Sequence, residues 1–578
     1  MFFKIKIILG FAFLVLLLPS VCIATENSFT RTNNPFGIHL AVPNEEDLKK
    51  AAELVNSQGG DWGYVTLIIE ESDRKLNKWQ SIFDQLRELH LIPIIRLATG
   101  FDGENWKKPQ SSEAKSWVIF LDSLHWVVKD RHIVLFNEPN HAQEWGGEID
   151  PEGYGEIVLE FAQRLKETNE DFLVMLSGFD AAAPSKLPKH EDEAVFLKKM
   201  LGALEAEEKN LFDLIDGWAS HAYPNYGFVG SPDDNGRHSI VGYQWELDLL
   251  KRLGIVKKLP VFITETGWPH QEGLTDQPGY HSAEKVAGLF RSYFDRITKD
   301  KQVQAITPFV LNYQGEPFDH FSWLTLKEKD VFPQFEIVKN LPKIKGDPIQ
   351  EEKLVATPPL PGKLIRNSTY QFEFQLRNAG QAIWEPKTYE LTVGGLPQDS
   401  QYFWADFLPL KPFEEKKVRL HLKTGDQTGK LPLTLRMVKE GKVRSNLIKW
   451  PVEIFGYPSI TFKTSLWPKR KTAGNDFKLV IYNQKEEVVF EALDIGVKDS
   501  RGKVEEIRNL TLNHPYRVVI LKPYYLPRQD LMTITKKENS IYFKPSLPVD
   551  FNQDGRFSLG DLLILITKPK LLSLWWFN

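Results

Sequence analysis

The chain has 578 residues, 72 Lys and Arg against 76 Asp and Glu, a formal charge of −4 and an ordinary 42 % of hydrophobic residues. That length exceeds what one hydrophobic core accommodates and calls for several domains. Nearly balanced charge with no basic block argues against nucleic acid as a partner, and a lone cysteine, Cys22, excludes an intramolecular disulfide or a thiolate metal site.

Residues 1–24 carry Lys4 and Lys6, an apolar run from Ile7 to Leu18, a Pro-Ser break, and small residues at Cys22 and Ala24. The pattern predicts a secretory signal, since the run is shorter than the ~20 residues a spanning helix needs. A secreted or cell-surface location is the expectation.

Residues 30–345 hold eight short apolar runs, each followed by a segment with helical spacing. They are Phe36 to Val42, Tyr64 to Ile69, Leu91 to Ala98, His132 to Phe136, Phe172 to Ser177, Leu214 to His221, Leu259 to Thr264 and Ala305 to Tyr313. This alternation predicts an α/β domain in the form of a (β/α)8 TIM barrel, with a doubly wound open sheet as the alternative. Polar residues gather where the runs end: Arg96 on the third, Asn137 and Glu138 on the fourth, His221 and Tyr223 on the sixth, Glu265 on the seventh, with Asn312, Tyr313 and Trp323 after the eighth. In a parallel barrel those ends form the working face.

Two stretches share one shape. His132-Ile-Val-Leu-Phe-Asn-Glu-Pro-Asn140 and Leu259-Pro-Val-Phe-Ile-Thr-Glu-Thr-Gly-Trp-Pro269 each run apolar and then deliver one carboxylate, Glu138 or Glu265. At roughly 30 residues per βα unit, about three units fit between them, so both reach the same face from separate strands. Two glutamates ~5–5.5 Å apart suit hydrolysis of a glycosidic bond with retention, one giving a proton and the other attacking the anomeric carbon. That chemistry needs no metal. Arg96 and Tyr223 are suited to hold Glu265 ionised, Asn137 to meet the sugar 2-OH, and His221 to meet the sugar or Glu138. Among 16 Trp, most of them core residues, Trp323 and then Trp268 and Trp145 are the expected stacking faces for sugar rings.

The phrases Phe136-Asn-Glu-Pro-Asn140, His221-Ala-Tyr-Pro224 and Ile263-Thr-Glu-Thr-Gly-Trp268, with Trp145 and Tyr154 between them, resemble the retaining glycoside hydrolases of clan A, in the style of families 39 and 5. The resemblance implies an acid/base at Glu138, a nucleophile at Glu265 and a carbohydrate substrate. A non-catalytic carbohydrate-binding protein and a structural surface protein are the competing readings.

Residues 346–362, rich in Pro, Lys and Glu, read as a linker. Short alternating runs then predict an immunoglobulin-like β-sandwich over 363–455 and a second β-sandwich over 456–548. Asn378-Ala-Gly-Gln-Ala-Ile-Trp384 is similar to a turn of bacterial immunoglobulin-like modules, so the first sandwich is a spacer or a sugar-binding module.

The segment 549–578 opens with Asp550-Phe-Asn-Gln-Asp-Gly-Arg-Phe-Ser-Leu-Gly-Asp561. Asp550, Asn552, Asp554 and Asp561 fall at positions 1, 3, 5 and 12 of an EF-hand-like calcium loop, with Gly555 at the turn and Arg556 at the seventh position, where such loops use a backbone carbonyl. A structural Ca2+ is expected there. With Leu562-Leu-Ile-Leu-Ile566 the segment resembles one dockerin repeat, which leaves open a cohesin-like or cell-surface partner or a cap on the preceding sandwich.

Overall fold

The computed structural model describes residues 29–326, 330–360, 362–405 and 407–575. The expected signal segment, with Cys22, lies outside the described residues. The chain divides into two compact units, one of them the described residues to Leu124 with Asp130–Pro348, the other His125–Lys129 with the described residues from Ile349.

In the first unit eight strands alternate with eight helices. The strands are β1 (Gly37–Leu40), β2 (Gly63–Glu70), β3 (Leu91–Ala98), β4 (Arg131–Leu135), β5 (Phe172–Leu176), β6 (Trp218–His221), β7 (Val261–Glu265) and β8 (Val303–Ile306). The helices are α1 (Glu45–Val55), α2 (Leu76–Glu88), α3 (Ala114–Ser123), α4 (Pro151–Thr168), α5 (Glu193–Ala206), α6 (Gly242–Arg252), α7 (Ala283–Ile297) and α8 (Pro333–Lys339). Side chains cap several helix starts: Asn44 accepts from Asp47 N, Asp150 from Gly153 N ahead of Pro151, and Ser282 from Lys285 N.

Parallel pairing runs β1-β2-β3-β4-β5 and β6-β7-β8. Parallel bridges from Met175 to Gly217 and from Phe36 to Ile306 join the two sheets at both edges. The eight strands therefore pair in one closed cycle in chain order. They are buried nearly throughout, as sheets covered on both faces must be. Inside the cycle Thr66 and Thr307 share a hydroxyl bond at 2.8 Å. The last strand is shorter than the apolar run suggested, because Pro308 has no N–H to continue the ladder. Asn312 instead lies in a loop, where its amide donates to both Asp47 oxygens at 3.0 and 3.1 Å.

In the second unit, nine strands between Leu354 and Phe455 form a five-stranded and a four-stranded sheet, the short strand Lys442–Val443 pairing beside Gly429–Lys439. One has the order Lys363–Ile365, Ile448–Phe455, Gly429–Lys439, Tyr389–Gly394, and the other Gln401–Trp404, Glu415–Lys423, Thr369–Asn378, Leu354–Thr357. The last of these strands corrects the linker expectation for 346–362. Leu354, Ala356 and Leu360 are buried beside Phe374, Leu376 and Trp450. The four residues Leu-Val-Ala-Thr do alternate buried and exposed, but the surrounding Pro, Lys and Glu hide a period that short.

From Ser459 to Tyr542 seven strands form one continuous sheet, where two packed sheets were expected. Register shifts along Gly474–Tyr482 mark bulges, which let one sheet bend around the core of Phe462, Leu479, Val518 and Phe543. A helix, Leu559–Thr567, follows the acidic loop and is capped by Ser558 and Asp561.

Candidate active site

Strands β3, β4, β6 and β7 position the site. β7 ends on Glu265, β6 ends on His221, and Arg96 sits near the end of β3. Beyond β4 the chain turns through left-handed φ angles, +72° at Phe136 and +27° at Glu138. Each costs of order 1–3 kcal/mol in a residue that carries a Cβ. Backbone bonds hold the turn: Glu138 N–H donates to Gly178 O at 3.2 Å, and Glu138 O accepts from His141 N at 2.9 Å. The strand thus delivers Glu138 across the face toward His221.

Arg96 Nη1 donates to Glu265 Oε1 at 2.7 Å and also to Asn137 Oδ1. Tyr223 OH donates to Glu265 Oε2 at 3.1 Å. His221 Nδ1 lies 2.7 Å from Glu138 Oε1 and 3.8 Å from Glu265 Oε2. One oxygen of each glutamate and one His221 nitrogen all lie within 4.8 Å of one another. Of the sequence-predicted set, Glu138, Glu265, Asn137, Arg96, His221 and Tyr223 therefore meet in one place.

Burial alone would raise the Glu265 carboxyl, but His221, Arg96 and the Tyr223 hydroxyl outweigh it and hold it below the usual glutamate range. Burial would lower His221, yet Glu265 and then Glu138 raise it above the ordinary imidazole value. Burial and the adjacent Glu265 push the Tyr223 phenol well up, so it stays a donor. Gly178 makes room for the imidazole: a Cβ there would stand 2.1 Å from His221 Cδ2.

Two groups were missed by sequence reasoning. His39 in β1 is fully buried, has no protein partner on either ring nitrogen, and stacks on Phe309 at 5.0 Å. Burial, partly offset by Glu265, pushes it down to about 3, so it is a neutral imidazole. Its position inside the first apolar run was the available signal. The second, Glu144, lies in a short turn after β4 (Ala142–Glu144), and burial followed by Glu138 pushes its carboxyl up to about 7. Nothing in its sequence context marks it.

The tryptophan expectations are corrected. Trp323 is only 1 % exposed and packs on Phe290 at 4.7 Å; Trp268 packs on Phe290 and Tyr293, and Trp145 on Tyr154. All three are too well covered to present a wet face. A row of smaller rings lies beside Glu265 instead: Tyr223 contacts Phe228 at 5.1 Å and Phe321 at 6.1 Å, and Phe309 links Phe321 to Phe318. Phe318 is 40 % exposed.

In the second unit the acidic loop spans Asp550 to Asp561. Asp550 Oδ1 is buried without a protein partner, Asn552 Nδ2 donates to Asp554 at 2.7 Å, and Gly555 turns at φ +81°. Arg556 N donates to Asp554 Oδ1 at 2.8 Å. Both Asp561 oxygens accept hydrogen bonds from the loop. Its Oδ1 accepts from Phe551 N and Asn552 N at 2.8 and 3.1 Å, and its Oδ2 from Ser558 N and Oγ at 2.7 and 3.0 Å. Among the described residues, Glu138, His221 and Glu265 form the one group of three acidic or imidazole side chains that converges within 4.8 Å, so the loop's carboxylates do not.

No family model and no curated relative matches the chain. Solved structures with partial likeness include glycoside hydrolases. A monomeric β-xylosidase from Caulobacter crescentus CB15 is 12 % identical, with 82 % of this chain and 97 % of that chain covered and a TM-score of 0.38. AbfB, a family 51 α-L-arabinofuranosidase from Bifidobacterium longum, is 10 % identical over 69 % of this chain and 96 % of that one, with a TM-score of 0.36. Bacteroides uniformis β-glucuronidase 2 is 8 % identical over 88 % and 62 %, with a TM-score of 0.35. Likeness of this size identifies neither a family nor a substrate.

Proposed function

We propose that this chain is an exported retaining β-glycoside hydrolase on a (β/α)8 barrel, cleaving a polysaccharide or oligosaccharide by double displacement. The observation that carries the reading is the approach of Glu138 and Glu265 oxygens to within 4.8 Å. That is close to the ~5–5.5 Å of retaining enzymes and short of the ~6.5–9.5 Å that inverting enzymes leave for a water.

Glu265, ionised and oriented by Arg96 and Tyr223, attacks the anomeric carbon. The aglycone oxygen takes a proton from Glu138 as its bond to that carbon breaks, leaving a glycosyl ester on Glu265. Glu138, now a carboxylate, removes a proton from water, which attacks the same carbon and returns Glu265 as a carboxylate. His221 spans both carboxylates and fixes their mutual placement. Asn137 reaches the 2-OH, a contact that strengthens in the oxocarbenium-like transition state. The partly exposed rings of Phe228, Phe309 and Phe318 supply the sugar platform that Trp323 does not.

The test is a panel of aryl β-glycosides with wild type and Glu265→Ala. Wild type should turn over at least one with retention. The variant should lose that activity and yield an α-glycosyl azide when azide is added. Equal rates for the two proteins would leave a binding protein, not a hydrolase.

We also propose a structural Ca2+ in the loop, held by Asp550, Asn552, Asp554, the Arg556 carbonyl and Asp561. The orphaned Asp550 oxygen supports it, and the capping bonds of Asp561 oppose it. An increase in Tm with Ca2+ that Asp550→Ala abolishes is the expected result; identical melting with and without chelator contradicts it. Capture of a cohesin-like partner by the same segment is tested by pull-down with and without Ca2+.

A further inference from the structure

Three residues beyond Glu138 the chain builds a second polar group that the hydrolysis steps above do not use. His141 Nε2 lies 2.8 Å from Asp180 Oδ2, and His141 Nδ1 lies 3.2 Å from His190 Nδ1. Asp180 follows β5, and His190 lies on the loop that leads from Asp180 to α5. The fully buried Asn140 clamps these segments together. Its Nδ2 donates to Asp180 O at 2.9 Å and to Glu191 O at 3.2 Å, and its Oδ1 accepts from Asp180 N at 3.3 Å. His141 N also donates to Glu138 O at 2.9 Å, so the group is built on the turn that carries the acid/base.

The two rings have room for one proton between their facing nitrogens. A carboxylate only accepts, so Asp180 keeps a hydrogen on His141 Nε2. When the pair carries no extra proton, His141 Nδ1 accepts from His190 Nδ1–H, and His190 Nε2 is a bare lone pair. When the pair gains one proton, whichever ring holds the charge, His190 Nε2 becomes an N–H donor. A second proton would set N–H against N–H, so the pair titrates as one unit. His190 is half-buried, and its Nε2 makes no hydrogen bond among the described residues. The charged groups around the pair are Asp180, Glu138 and Glu144, with Lys186 and Lys189 on the His190 loop; His238, from the loop after β6, adjoins Asp180.

We propose, resting on the hydrolase reading above, that His141 and His190 form a proton-gated subsite on the leaving-group side for a saccharide that bears a carboxylate. Glu138 protonates the leaving oxygen, so a subsite built on its turn receives the sugar on that side of the scissile bond. A hydroxyl donates to the bare nitrogen or accepts from the N–H, and a neutral sugar therefore binds either state of the pair. A carboxylate only accepts. It gains a charge-assisted bond from the protonated pair and meets a lone pair otherwise. Lys186 and Lys189, exposed on the same loop, add to the attraction.

The experiment titrates the full chain with glucuronate and galacturonate, and with glucose and galactose as neutral counterparts, by calorimetry across pH in two buffers of different ionisation enthalpy. Uronate affinity should be constant at low pH and fall about tenfold for each pH unit above one midpoint, with about one proton taken up per uronate bound there. The neutral sugars should show neither effect. His190→Gln, which keeps a neutral hydrogen-bonding side chain, should take up no proton. Asp180→Asn keeps an acceptor for Ala182 N–H but loses the charge beside His141, so its midpoint should move to lower pH. Uronate binding without proton uptake in wild type, uptake unchanged in His190→Gln, or no preference for uronates over the neutral sugars overturns this inference alone. Proton-linked uronate binding by a protein that turns over no aryl glycoside overturns the hydrolase reading and leaves the subsite to a binding protein.

Discussion

The two units each carry a set of acidic residues, and the sets are organised in opposite ways. Asp550, Asn552, Asp554 and Asp561 lie within twelve consecutive residues in calcium-loop register, and most of their hydrogen bonds close on the loop's own backbone, with one Asp550 oxygen left without a protein partner. Glu138 and Glu265 come from different strands far apart in the chain, yet they meet within 4.8 Å around one imidazole. Register along the chain shows which groups are neighbours in sequence, whereas convergence is decided by the sheet. A closed ring of strands brings remote ends onto one face and holds them against their mutual repulsion with Arg96, His221 and Tyr223.

The contrast breaks first at the nucleophile. Glu265→Ala should lower kcat/KM by about 10^4-fold or more, a size typical of removing a nucleophile, as steady-state rates on aryl glycosides will show. Next, Arg96→Met leaves a buried Glu265 without its cation. Breaking such a pair costs ~3–5 kcal/mol, read as a fall in denaturant midpoint. The same substitution removes one of the groups that depress Glu265, so the acid limb of kcat/KM should move to higher pH. In wild type that limb lies below the ordinary glutamate range, because Glu265 must be protonated to lose activity. Stability from this depressed carboxyl is present at neutral pH and is lost as pH falls through its folded value.

Trp323→Ala should cost ~3–5 kcal/mol as a core truncation, a loss visible in thermal melts, because the ring packs on Phe290 and not on a sugar. A normal Tm with a raised KM would return Trp323 to the substrate. The smallest effect is in the buried pair Glu193 and Glu246. Burial and mutual repulsion raise Glu193 well above the usual value, and neither of its oxygens has a protein partner. A raised carboxyl contributes stability below its unfolded value that is lost as pH rises, so Glu193→Gln should narrow the Tm difference between pH 5 and pH 8.

Much of the first unit was legible because its signals are strong locally: an apolar run, then a polar residue where the ladder ends. Glu265 and His221 close β7 and β6 in that way. Glu144 was not legible, since only the short turn Ala142–Glu144 beyond β4 brings it near Glu138. Trp323 misled because sequence shows a ring's presence but not which side of it is covered. The seven-stranded sheet was read as a sandwich because alternation marks strands and is silent about where one sheet ends and another begins.

The most direct measurement is intact mass and peptide mapping after incubation with an activated 2-fluoro glycoside, which traps the glycosyl ester of a retaining enzyme. A single stoichiometric label on Glu265, slowed in Arg96→Met and absent in Glu265→Ala, is the predicted result. A label on another residue, or none with a glycoside that the protein hydrolyses, would contradict it.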